Sequence, residues 1–187
     1  MIDHQAIIEN TKRWISSVVI GLNLCPFAKR VFQADLIKYV VSEAVNEEEL
    51  LTDLWVELTS LANAPISQTE TTLLIHPLAL ENFLDFNDFL AIADKLIAQL
   101  KLRGTIQIAS FHPSYQFEGT EPEDVENYTN RSPHPMLHLL REESITKVAG
   151  DENELLEIPE RNVKLLKSLG REKMLQLLNN AKQDNAN

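Results

Sequence analysis

The chain has one cysteine, Cys25, so no intrachain disulfide can form and a reducing compartment is expected. Cations are also scarce. Lys and Arg number 17 against 28 Asp and Glu, for a net charge of -11. Nucleic-acid affinity rests on neutralising phosphates with Lys and Arg, so no nucleic-acid partner is expected. The same charge argues against an anionic membrane surface. No apolar run approaches the ~20 residues of a membrane helix. The first residues, MIDHQAIIENTKRW, lack the basic region and apolar core of a secretory signal. The expected location is the cytoplasm. Long-period repeats, low-complexity tracts and Cys-x-x-Cys pairs are missing too, and no cofactor is implied, the alternative being a metal held by His76, His112 and His138.

What is there suits one α/β domain over residues 1–187, with a helical tail from about residue 135. Ile7, Thr11, Trp14, Ile15, Val18 and Leu22 recur at helical spacing and predict a first helix from Asp3 to Gly21. Cys25-Pro26 reads as a second helix start, with Cys25 as its cap. Leu36 to Ser42, Thr71 to Ile75 and Thr105 to Phe111 read as strands. Between them, Asn46-Glu47-Glu48-Glu49 is a variant capping box before one helix. Phe86 to Leu100 forms another, stopped by Gly104. The order β-α-β-α-β predicts a small, mostly parallel, three-stranded sheet covered by helices. After it, Met136, Leu137, Leu139 and Leu140 mark one helix, Val163 to Leu169 a second, and Met174 to Leu178 a third. The closing NNAKQDNAN is expected to fray.

Two strands end in His-Pro. In a parallel sheet His76 and His112 would share the carboxyl edge, where open α/β sheets bind ligands. Equally, Pro ends a strand because it lacks an N–H, and each His caps local backbone groups. The segment Phe111 to Glu142 holds His112, His134 and His138 and four prolines. About 20 of its residues look structureless, a length that is uncommon inside a compact domain unless the loop is functional or disordered. Tyr115, Phe117 and Tyr128 would anchor it. Asn130-Arg131-Ser132-Pro133 precedes an expected helix start, and Arg141 lies further along that helix. Free N–H groups beside a guanidinium suit a carboxylate or phosphate. The alternative pairs Arg131 with acids of its own segment. His134 and His138 sit four apart, but HxxxH lacks the Glu of a zinc-protease motif. Cys25 is either a packed thiol between Leu24 and Phe27 or a nucleophile activated as a helix cap.

GLNLCPFAK, TTLLIHP, SFHPSYQF and NRSPHPMLHLLRE together resemble a family of bacterial proteins of about this length, known as a domain of unknown function. The resemblance runs across nearly the whole chain. It implies a bacterial, cytoplasmic, single-domain protein and supplies no activity. His134 stands where the family pattern has Tyr, which weakens a His134–His138 metal pair. Cys25, His76, His112, Arg131 and His138 match.

Two functional readings follow. One is a non-catalytic binding or interaction protein whose long loop meets a partner, a second copy included. The other is an enzyme on a small anionic metabolite. Its site would lie at the carboxyl edge: Cys25 and His112 catalytic, and His76, Asn130, Arg131, Ser132, His138 and Arg141 holding ligand. A shared pocket would favour the enzyme, and separate structural partners the binding protein.

Overall fold

The computed structural model describes residues 2–149 and 152–182. Residues 183–187, the end of the expected frayed tail, lie outside them, and residues 179–182 continue the last helix. Helix α1 (His4–Trp14) starts where Asp3 accepts from Ala6 N–H. It runs into a π-helical segment, Ile15–Ile20, which closes on Gly21. Helix α2 (Ala28–Gln33) follows. Strand β1 (Ile37–Val41), α3 (Glu47–Asn63), β2 (Thr71–Ile75), α4 (Phe83–Gln99) and β3 (Ile106–Phe111) then alternate as the patterning predicts. The Asn46 box forms: Asn46 Oδ1 accepts from Glu49 N–H (2.9 Å), and the Glu49 carboxylate accepts from Val45 N–H (2.9 Å).

The next element corrects the sequence reading. Met136–Arg141 is a strand, β4, and not a helix. It lies between β2 and β3, so the sheet has four strands in the order β1-β2-β4-β3. β1 and β2 pair in parallel, while β4 is antiparallel to both its neighbours. The sheet is therefore mixed. The three strands read from sequence do share one direction, but β3 meets β4 and not β2. A central strand is covered on both faces, so its run of apolar residues carries no period of two to separate it from a buried helix.

Helices cover both faces. Leu74, Leu137 and Leu139 pack under α3 and α4, with Leu50, Leu54, Leu58, Phe86 and Phe89. On the other face Leu73, Ile75 and Met136 meet Trp14, Val18, Tyr128, Leu166, Met174 and Leu178. The latter come from α1, the π-helical segment, a 3-10 turn (Val125–Thr129), α6 (Glu152–Leu169) and α7 (Arg171–Lys182). A short α5 (Glu142–Ala149) leads from β4 into this layer.

Candidate functional site

His76 and His112 do reach the same edge of the sheet. Both rings pack on Phe86, at centroid distances of 5.7 and 5.1 Å. Both imidazoles bond to backbone of the two loops at this edge. His76 Nδ1–H donates to Ala79 C=O (2.9 Å). His112 Nδ1 accepts from Ser114 N–H (3.0 Å), which places the proton on Nε2, where it donates to Leu80 C=O (3.2 Å). Burial disfavours the charged form. It holds His76 down to about 4, with the nearby His112 adding to the effect, and it lowers His112 as well. His112 is satisfied at both nitrogens by backbone, while His76 is held through Nδ1 and its buried Nε2 has no partner among the described residues.

The expected anion site is not assembled. No helix follows Arg131. Ser132 Oγ–H donates to His134 C=O (2.6 Å) in the turn before β4. Arg131 lies 4.4 Å over the Tyr128 ring and donates to Tyr115 C=O (3.1 Å) and Pro122 C=O (2.6 Å). It ties the two ends of a loop together. Arg141 stands at the far end of β4 and is buried. Its Nη2 donates to Leu61 C=O (2.6 Å) and Ala64 C=O (2.6 Å), closing the carbonyl end of α3.

Asn130 works on the edge of the sheet. Glu142 N–H donates to Thr105 C=O, so odd residues of β3 face β4 and even ones face outward. Asn130 takes that outer side: its C=O accepts from His112 N–H (3.2 Å), and its Nδ2–H donates to Ser110 C=O (3.1 Å). The loop thus covers part of an exposed strand edge.

Cys25 and His138 lie on the opposite face of the sheet from the His76–Phe86–His112 stack. His138 Nε2 is 2.7 Å from Thr71 Oγ1. That hydroxyl already gives its proton to Leu139 C=O (2.6 Å), so His138 Nε2–H is the donor and Nδ1 keeps its lone pair. Burial brings His138 to about 4. Phe27, not Cys25, occupies the cap position of α2. Burial raises the Cys25 thiol, and the amides of Phe27 and Ala28 and the Arg161 charge only partly offset it. Among the described residues no three His, Cys, Asp or Glu side chains are grouped as metal ligands. No helix among them is long and apolar enough to cross a membrane.

Cys25 does border a cleft of about 530 Å³. Its walls are Val19, Leu24, Phe111, Phe117, Ile158, Pro159 and Val163. These come from the π-helical segment and the turn after it, the end of β3, the long loop and α6. The polar groups at its rim are already used. Asn162 Nδ2–H donates to Leu24 C=O (2.8 Å), and Thr120 Oγ1–H is shared between Phe117 C=O and Asn127 Oδ1, each 2.8 Å away. Thr129 Oγ1–H is shared between Glu126 C=O (3.0 Å) and Asn130 Oδ1 (3.1 Å), and Glu126 pairs with Lys167 (3.1 Å). What the cleft offers is an apolar surface of ligand size.

The loop itself is not structureless. Buried Asn127 organises it: Oδ1 accepts from Phe117 N–H (3.0 Å) and takes a share of Thr120 Oγ1–H (2.8 Å), and Nδ2–H donates to Glu121 C=O (2.8 Å). Asn127 and the α6 wall were not singled out from sequence. One Asn in an acidic loop carries no periodic signal, and nothing local tells which face of a distant helix will meet the loop. Phe117 was read as an anchor, and it is one as well as a wall.

No curated protein and no solved structure matches the chain. Residues 6–176, most of its length, match the family described as "Protein of unknown function (DUF1415)", and the chain belongs to that family.

Proposed function

We propose that this is a non-catalytic binding protein whose cleft beside Cys25 takes up a small, largely apolar molecule or the apolar part of a larger one. The carrying observation is the accounting of its lining. The walls are apolar side chains, and the polar groups around them are already satisfied within the protein. A ligand held mainly by hydrogen bonds or charge would have to break those pairs. An apolar ligand would not, and it gains roughly 25 cal/mol per Å² buried.

The same accounting speaks against a general acid or base in the cleft. His76 and His112 are engaged elsewhere, and the Cys25 thiol is raised. Glu126, the one carboxylate on the rim among the described residues, holds Lys167.

The test is titration with the neutral dye Nile red, followed by fluorescence. The unaltered protein is expected to bind it saturably at one site, with an affinity in the micromolar range, about -8 kcal/mol. Val163→Trp, which fills the cleft from α6, should weaken binding at least tenfold with little change in Tm. Equal binding by Val163→Trp, or no saturable binding by the unaltered chain, would refute the proposal.

A further inference from the structure

Cys25 borders a second space as well. It is small, about 40 Å³, and is lined by Glu70, Thr71, His138, Arg141 and Ser144 among others. Two buried polar atoms of these residues have no hydrogen-bond partner among the described residues: Arg141 Nε and Ser144 Oγ. Arg141 is only 7% exposed. A guanidinium N–H left unmet at that depth is costly, and native proteins rarely leave one so.

From this we infer that the chamber is a built water site, holding one molecule that bridges Arg141 Nε–H and Ser144 Oγ. The size fits, since a water's share of liquid volume is about 30 Å³. So does the polarity. Arg141 Nε can only donate and the Ser144 hydroxyl can do either. His138 Nδ1 keeps a lone pair, because Nε2–H is the donor to Thr71. The Glu70 carboxylate also lines the space. A guest facing donors and acceptors together must itself both accept and donate, which water does and a monatomic anion does not. Glu70 is already paired with Arg30, which also lines the space, and the Arg141 charge is met by the carbonyl end of α3, so no cation there is left for an anion to neutralise. An apolar guest would leave Nε–H unmet. The water would extend the polar network of β4 to the wall shared with the cleft, whatever the cleft binds.

A crystal structure of the full chain, grown in sodium bromide and measured at the bromine absorption edge, tests this. The expected result is a solvent peak within hydrogen-bond distance of both atoms and no anomalous signal. A bromide peak there, or no density, would overturn the inference. Thermal melts give a second readout. Ser144→Val should displace the water and fall at least 3 °C below Ser144→Ala, after subtracting the Val–Ala difference measured at exposed Thr146. If the chamber is dry, the added methyl groups fill it and Ser144→Val melts at or above Ser144→Ala.

Discussion

Asn127 sits at the centre of a loop whose neighbours are mostly acids, and its whole amide is consumed in holding that loop shut. Asn127→Ala would strand Phe117 N–H and Glu121 C=O. It should cost about 2–4 kcal/mol, read as a lower urea midpoint at unchanged slope. The arginines illustrate the same point. Arg131 and Arg141 were legible as unusual residues, but their partners are backbone carbonyls far along the chain. A guanidinium bound to carbonyls and one awaiting an anion look alike in sequence. The histidines were easier to read. A His-Pro strand end has a local explanation, capping of its own loop, which His76 does through Ala79 and His112 through Ser114, although His112 Nε2–H also reaches Leu80 in the loop after β2.

At the scale of elements, periodicity located α3 and α4, which show one face to a core and another to solvent, while β1, β2 and β3 were legible from β-branched residues and, for β2 and β3, the His-Pro pair that closes the strand. It failed at β4 for a physical reason. Met136, Leu137, Leu139 and Leu140 are apolar on both faces because both faces are covered by helices. The long loop is no shorter than expected, but the 3-10 turn Val125–Thr129 and the Asn127 hydrogen bonds give it order. The end of α3 supplies a prediction. Arg141 holds the Leu61 and Ala64 carbonyls, so Arg141→Met should lower stability by roughly 2–4 kcal/mol by urea denaturation. Amide exchange at the end of α3 should speed up with it. A variant that melts like the unaltered chain would show those carbonyls to be satisfied without Arg141.

At the scale of the molecule, His76 and His138 make stability depend on pH. Both are neutral in the fold, at about 4 against 6.5 unperturbed. Between those values the unfolded chain binds more protons than the native one. Their contribution is therefore complete above pH 6.5 and is lost as pH falls towards 4. The slope approaches about 1.4 kcal/mol per pH unit for each. His76→Gln should flatten the urea-measured stability profile between pH 6.5 and 4 by one such increment. An unchanged profile would mean that His76 titrates alike in both states. The sequence could not show that β4 separates β2 from β3, nor that α6 closes over the end of β3, because both are matters of long-range assembly. The cleft beside Cys25 is a product of that assembly. Cys25 is the only cysteine, so its thiol reports on the cleft without interference. The decisive measurement is the rate of Cys25 modification by methyl methanethiosulfonate as Nile red is added. If the cleft is the binding site, the rate falls with dye concentration and is halved where the fluorescence titration is half complete. A rate that stays constant while the dye saturates would place the binding elsewhere and contradict the account.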